Sequence, residues 1–368
     1  MKTRAILFAF LTALLLLTGC TMPTDSPPKM KPTSGEMNYD EPFLRVHYID
    51  AGQADATLLQ IGEDGEIINM LIDAGDWSKS DVVQYLEDQN IQSIDLVVAT
   101  HAHADHIGQL AKIVETFDVG EVWMNGETAN SQVFLNTLNA IEKQRVDYYE
   151  PQKGETFDIG PLTVDVLHPT TIGTNVNNNS ISMMLTYGDV KLLFTGDAEK
   201  QAEKEMLDSG QSLQAHIFQM GHHGSKTSNS EAFLQAVQPE VAIYSAGLNN
   251  SYGIPDQEVL DRVKNMGIPV YGTAVDGTVL VETTGKSYQV MTAKNDILPP
   301  PLLAKHCINL NEATAEELQK ITHIGEKLAS EIIQNRPFKQ VEDLLTVKGI
   351  GQSRLNDIME QDLICTGG

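Results

Sequence analysis

The sequence predicts an α/β fold of layered β-sheets covered by helices, followed by a small all-α module. Three observations carry this. Short β-rich apolar runs alternate with helical stretches from Pro42 to about Thr292. A stretch containing Pro299-Pro300-Pro301 then breaks the pattern, as a stiff linker would. Beyond it the composition shifts to short helices. At 368 residues and 41% hydrophobic content, the chain can bury one large core and one small one.

Residues 1–20 read as an export signal. Lys2 and Arg4 precede an apolar run from Ala5 to Leu17, which is shorter than the ~20 residues a helix needs to cross a bilayer. The run ends in Leu17-Thr18-Gly19-Cys20, which resembles a bacterial lipobox. That resemblance implies a diacylglycerol on the Cys20 thiol and a chain held on the extracytoplasmic face of the membrane. An ordinary cleaved signal, releasing the chain, is the alternative. Residues 21–41, rich in Pro, Ser, Thr and Gly, form a flexible tether.

Within 42–292, strands are expected at Phe43–Asp50, Ala56–Ile61, Ile67–Ile72, Ile94–Ala99, Leu162–Leu167, Ile181–Tyr187, Lys191–Phe194, His216–Met220 and Val241–Ser245. Helices are expected at Asp81–Asp88, Ala198–Leu207 and Ser230–Ala236, and a hairpin turning at Asp276-Gly277. Residues 293–305 are the linker. In 306–365, helices are expected at Ala313–Ile321, Glu326–Asn335, Val341–Leu345 and Arg354–Glu360, and His323-Ile324-Gly325 is echoed by Gly349-Ile350-Gly351.

Twenty-five basic residues stand against 50 acidic ones. Such a surface repels phosphate backbones at long range, so contact with nucleic acid must rest on local basic groups or metal ions. With Cys20 taken by lipid, Cys307 and Cys365 bracket the C-terminal module. In an oxidising compartment they are a disulfide candidate that would stabilise the module by up to roughly 4 kcal/mol. Two unpaired thiols are the alternative.

The densest chemical signal is His101-Ala102-His103-Ala104-Asp105-His106, directly after an apolar strand. A turn at a strand's carboxyl end can gather His101 and His103 around one ion and aim Asp105 and His106 at a second. Neutral imidazole and carboxylate suit zinc first, with manganese as the alternative. The cluster resembles the H-x-H-x-D-H signature of the metallo-β-lactamase superfamily. The resemblance is closer to the metallo domain of ComEC-type competence proteins, from about Phe43 to Thr292. It runs in order through Asp50–Ala56, Leu71–Gly75, the histidine cluster, Asn177–Ser180, Thr195–Asp197, Gly221–Ser225 and Tyr252–Pro255. The chain shows no match to that family's membrane-channel segments and is expected to correspond to the metallo domain alone.

The resemblance implies an αββα sandwich holding two divalent ions, with Asp197 bridging them. Strand alternation turns adjacent side chains to opposite faces, so one of His222 and His223 is expected on metal. The preferred reading puts His223 there and lets His222 face substrate as proton donor or phosphate contact; the swap stays open. Lys226 follows and could contact a phosphate oxygen or simply be solvated. The chain departs from the family pattern at Ala54, and at Ile254, where a histidine is frequent. His168 is either a further ligand or a surface-loop residue, and His47 and His216 are expected to be strand residues without a metal role.

From His306 to Leu363 the chain resembles a ComEA-type helix-hairpin-helix module, through Ile308–Thr314, Ile324-Gly325, Arg336-Pro337-Phe338, Glu342–Leu344 and Val347–Gly351. Gly349 and Gly351 can present bare N–H groups to a DNA phosphate at a helix start, with Lys348 and Arg354 adding charge. His323 stands where the first hairpin usually has glycine. Three functions follow: a surface metallo-nuclease or phosphodiesterase acting on DNA held by the hairpins; a metallo-hydrolase for another surface substrate, phosphoester or lactone; and a non-catalytic DNA-binding surface protein. Protein partners are unknown at this level.

Overall fold

The computed structural model describes residues 41–302, 308–361 and 364–366. The expected signal with Cys20, residues 21–40 of the expected tether, residues 303–305 of the expected linker, and Cys307 with its expected pairing to Cys365 lie outside the described residues. Aliphatic and β-branched runs form β1 (Phe43–Tyr48), β2 (Thr57–Glu63), β3 (Glu66–Ile72), β4 (Ser93–Val98), β5 (Asp118–Trp123) and β6 (Asp147–Tyr149), all in one sheet. A second sheet holds β7 (Thr156–Ile159), β8 (Leu162–His168), β9 (Ser182–Tyr187), β10 (Val190–Phe194), β11 (Ile217–Gln219), β12 (Val241–Tyr244) and β13 (Val270–Gly272). The chain returns to the first sheet with β14 (Val279–Thr283) and β15 (Tyr288–Thr292). The orders are β15-β14-β1-β2-β3-β4-β5-β6 and β13-β12-β11-β10-β9-β8-β7.

From β3 to β6 and from β10 to β13 neighbouring strands are parallel, which demands crossover segments. Helices α1 (Asp81–Asp88), α2 (Leu110–Thr116) and α3 (Gln132–Gln144) supply them on the first sheet. On the second they are α4 (Lys200–Asp208), α5 (Glu231–Val237) and α6 (Gln257–Asn265). Val82 and Leu86 of α1, Ile113 of α2 and Phe134 and Ile141 of α3 share a core with Leu58, Leu71 and Val97. Met206 of α4, Phe233 of α5 and Val263 of α6 pack with Leu193, Phe218 and Ala242. The sheets' other faces meet each other, where Tyr48 stacks on Phe194 with ring centroids 5.9 Å apart. The layers are therefore αββα, each fully buried aliphatic side chain contributing roughly 1.5–3 kcal/mol.

One local expectation is corrected. Asp276-Gly277 is not a hairpin: it ends the short α7 (Thr273–Asp276) where the chain crosses from β13 in one sheet to β14 in the other. The hairpin is β14–β15, whose last pair is Thr283–Tyr288, with Gly285 at φ +87° in the turn. The Asp-Gly signal marks a left-handed glycine, which a sheet crossover needs as much as a hairpin does. Arg45, within β1, is fully buried, and its Nε donates to Glu282 Oε1 at 2.7 Å.

The C-terminal module consists of β16 (Ile308–Asn309), α8 (Ala315–Leu318), α9 (Glu326–Gln334), a 3₁₀ segment Val341–Thr346, α10 (Gln352–Glu360) and β17 (Ile364–Cys365). Its core gathers Leu310, Leu318, Ile324, Ile332, Phe338, Leu344, Ile350 and Leu355. The first expected helix, Ala313–Ile321, is trimmed at its start by Thr314, whose side chain caps Glu317 N in a capping box. No helix among the described residues is long and apolar enough to cross a membrane.

Candidate metal centre

The site lies where strands of both sheets end. After β4 the chain turns through His101–His106; after β10, Gly196 at φ +51° lets it double back so that Asp197 points inward. A Cβ at Gly196 would sit 3.0 Å from Ser180 and Thr100, so glycine is needed for space as well. After β11 comes a tight 3₁₀ turn, Gly221–Gly224, fastened by Asn229, which accepts from Gly221 N and donates to Gly221 O and Ser225 O.

Asp197, 1% exposed, is the hub. Its Oδ1 lies 3.2 Å from His106 Nε2 and 3.8 Å from His223 Nε2; its Oδ2 lies 3.6 Å from both His101 Nε2 and His222 Nε2. His103 Nδ1 is 3.1 Å from His101 Nε2, and Asp105 Oδ2 is 3.4 Å from His223 Nε2. The ligand-type atoms fall into two groups sharing Asp197: His101, His103 and Asp197, and Asp55, His106, Asp197 and His223. All six residues expected from the sequence to hold metal thus converge on one place.

The far nitrogens are fixed by their surroundings. His106 Nδ1 contacts Asp73 Oδ2 at 2.7 Å, His223 Nδ1 contacts the Ser245 carbonyl at 3.0 Å, and His101 Nδ1 lies 3.1 Å from Thr100 Oγ1. Such partners orient each ring and free the other nitrogen for a metal. Glu127, buried, accepts from Ala102 N at 2.7 Å and from Asn179 Nδ2 at 2.8 Å, pinning the loop between His101 and His103. Ser180 Oγ accepts from Asp197 N at 3.1 Å.

The residues fit divalent ions. His106 Nε2, His223 Nε2 and Asp197 Oδ1 are buried and lack a hydrogen-bond partner among the described residues, the 3.2 Å approach of the first to the last lacking hydrogen-bond geometry. Orphaned buried polar atoms are costly unless something else satisfies them. Charge points the same way. Burial opposes a proton on His223, yet Asp197 and Asp105 raise its pKa to about 9. Burial likewise opposes charge on His106, but Asp197 and Asp73 hold its pKa well above the usual value. A field that holds protons on these imidazoles will hold cations against the same nitrogens, with proton release. Burial, with the neighbouring His106 charge, pushes His101 well below the usual imidazole range, leaving it neutral as a ligand must be.

His222 and His223 do not alternate as adjacent strand residues would, because both are in the left-handed region, at φ 52° and 55°, inside the 3₁₀ turn. Both rings reach Asp197, His223 buried on one side and His222, 23% exposed, on the other. Lys226 stands at the rim, 61% exposed, its Nζ 3.4 Å from Asp256 Oδ1. His168 is no surface-loop residue: it is buried at the end of β8, bonded to Ser180 O and Glu205. His47 and His216 are held by their own hydrogen bonds, to Tyr85 and Gln60 and to Lys191 N.

Sequence reading passed over Asp55, Asp73 and Glu127. Asp55 and Asp73 did stand inside quoted motifs, which was the available signal; nothing local marks Glu127. Asp73 is at φ +60°, a conformation asparagine also tolerates. Asp73→Asn should therefore keep the backbone while weakening the hold on His106. We expect metal affinity to fall about 10–100-fold with an unchanged circular dichroism spectrum, measured by competition with a chromophoric chelator.

A family model described as Metallo-beta-lactamase superfamily matches residues 49–247. The chain belongs to the metallo-beta-lactamase superfamily. The match takes in every expected metal residue of this superfamily member. A second family model, Helix-hairpin-helix motif, matches residues 304–361. The chain is 29% identical to ComE operon protein 3 of Bacillus subtilis, over 64% of this chain and 32% of that protein. It is 28% identical to Competence protein ComA of Neisseria gonorrhoeae, over 62% of this chain and 31% of that one. It is also 42% identical to a Deoxyribonuclease of a Thioalkalivibrio species over 16% of each. This superfamily member thus spans about a third of the length of the two competence-related relatives.

In the helix-hairpin-helix module Gly325 and Gly351 are the N-caps of α9 and α10, which makes the sequence echo a structural repeat. Gly349 takes φ +110°; at the matching position His323 takes φ +62° and its Nε2 lies 2.7 Å from Asp357 Oδ2. The non-glycine residue is thus braced by its own side chain. Lys348, Gly349, Gly351 and Arg354 are exposed, with Arg354 Nη1 donating to Gly349 O at 2.8 Å. Arg336, by contrast, is a staple, donating to the Leu310 and Ala313 carbonyls.

Proposed function

We propose that this chain is a metal-dependent phosphodiesterase that cuts DNA held by its helix-hairpin-helix module, anchored through lipid on Cys20 at the extracytoplasmic face of the membrane. The observation that carries the reading is the convergence of orphaned imidazole and carboxylate atoms on Asp197, in a chain that also carries a hairpin module. His101, His103 and Asp197 would hold one ion, and His106, His223 and Asp197, with Asp55 and Asp105 beside them, the other, zinc before manganese. When bound, such a pair supplies Lewis acidity toward a phosphoryl oxygen and acidifies water.

The chain's own groups do the rest. His222, whose side chain is partly exposed, keeps its Nε2 beside Asp197, while its Nδ1 lies 3.0 Å from Thr227 Oγ1, which fixes the ring. It is positioned to donate a proton to the leaving oxygen. Gly349 and Gly351 offer N–H groups to a phosphate, with Lys348 and Arg354 alongside. This contact reads backbone shape and not base sequence. The deoxyribonuclease relative and the helix-hairpin-helix match support DNA as the polymer.

The test takes the full chain in detergent, counts its divalent ions, and adds supercoiled plasmid with zinc or manganese. Nicking is expected, and it should vanish with a chelator and in His103→Ala, whose side chain is exposed and not needed for packing. Undiminished nicking under both conditions would sink the reading. Hydrolysis of small phosphoesters or lactones with plasmid left intact would select another surface substrate.

A further inference from the structure

The helix-hairpin-helix module is built as two like units offset by 26 residues, since Gly325 and Gly351 cap equivalent nine-residue helices, α9 and α10. Leu318, Ile324 and Ile332 of the first unit enter the core as Leu344, Ile350 and Ile358 of the second do. Equal units would offer phosphate two equal turns. The apolar positions keep the repeat, and it breaks at exposed polar ones.

The two turns differ in what stands against them. At the first, the chain's own last helix closes in. Asp357 Oδ2 of α10 lies 2.7 Å from His323 Nε2, and Gln361, just beyond that helix, accepts from Thr322 N at 2.6 Å and donates to Lys320 O at 3.1 Å. Glu326 adds a second carboxylate in the first turn of α9. None of this recurs at the second turn. Asn335, the counterpart of Gln361, turns its side chain to Glu331 O in its own helix. Among the described residues no side chain takes a backbone N–H of residues 347–351, and α10 has no acid in its first turn. Leu328, the counterpart of Arg354, packs against Gly349, while Arg354 itself donates to Gly349 O.

Charge divides the same way. Beside the first turn the exposed Lys320 and Lys327 are matched in number by Glu326 and Asp357. Beside the second, Lys348 and Arg354 have no carboxylate partner among the described residues. A carboxylate near a helix start answers the same dipole that a phosphate would, and it repels the phosphate. We propose that the module grips duplex DNA with its second hairpin alone, the first being closed by the chain's own carboxylates. This rests on the DNA-holding part of the reading above and fixes how the polymer is held.

The test compares two matched substitutions in the full chain with its metal, Gly325→Asp and Gly351→Asp. Neither glycine is left-handed, at φ −100° and −106°, and a Cβ at either would meet nothing within 4 Å. Aspartate is a good N-cap, so each variant keeps its fold, as the melting temperature will show. Fluorescence anisotropy with a labelled duplex of about twenty base pairs, on ice and with the probe's length checked afterwards, reads affinity against salt. Gly351→Asp should lower affinity about tenfold, and Gly325→Asp should leave it within about twofold. In the opposite direction, His323→Gly combined with Glu326→Gln and Asp357→Asn opens the first turn. That variant should bind about threefold more tightly, with a salt dependence steeper by about one phosphate. Equal losses from the two aspartates overturn the one-sided grip and leave the module as the holder of DNA. No loss from either overturns the grip and the DNA-holding reading together. An opened variant with the parent's affinity and salt dependence overturns the closure of the first turn.

Discussion

Replacing Asp197 with alanine is expected to empty both metal subsites and cost more activity than any other single change. Its two carboxylate oxygens face different partners: Oδ1 faces His106 and His223, and Oδ2 faces His101 and His222. Burial opposes its charge, but His106 and His223 outweigh that and hold its pKa well below the usual carboxylate range. Loss of an outer partner of a ligand typically costs about 10–100-fold, so loss of a group common to both subsites should exceed 100-fold. Asp197→Asn is the sharper version, because it keeps the shape and removes the charge. We expect fewer than one ion per chain in either variant, by mass spectrometry of the desalted protein. Retention of two ions with a rate near that of the parent would refute the shared-ligand geometry.

The second large effect is expected in the hairpin module. Gly349→Asp would test phosphate binding badly: Gly349 is at φ +110° and a Cβ there would lie 3.1 Å from Leu328, so misfolding would mimic lost contact. Gly351 is free of that confusion. Its φ of −106° suits any residue, a Cβ would meet nothing within 4 Å, and it caps the nine-residue α10. Aspartate is among the best N-caps, so Gly351→Asp should hold or raise the melting temperature. The same carboxylate occupies the place a phosphate would take and repels it. Duplex binding at low salt should fall on the order of tenfold or more, and the salt dependence of what remains should flatten. Unchanged duplex affinity would mean that DNA is held elsewhere.

Much of this site was legible because its chemistry is local in sequence. Three histidines and an aspartate within six residues cannot be mistaken for packing, and Thr195–Asp197 and Gly221–Gly224 follow strands whose patterning is plain. Strand positions held for the same reason, since short continuous apolar runs, buried on both faces as in β1 and β12, leave a direct trace. The misreadings fall where conformation depends on distant contacts. Adjacent histidines were taken as alternating, but the turn held by Asn229 puts both in left-handed backbone, so both face Asp197. Asp276-Gly277 carried a turn signal without revealing that the turn joins two sheets.

By itself, then, the sequence determined the ligand types, the strand-and-helix alternation and the boundary to a helical module, all of which follow from short-range spacing. Only the tertiary structure decided which oxygen of Asp197 faces which imidazole. It alone also showed that Asp73 and Glu127 hold the histidine loop from 33 and 25 residues away. The Asp73 and Glu127 contacts arise because the parallel neighbours β3, β4 and β5 bring distant turns to one edge. Asp197 meets the imidazoles because a second sheet closes on the first, and no local pattern records either.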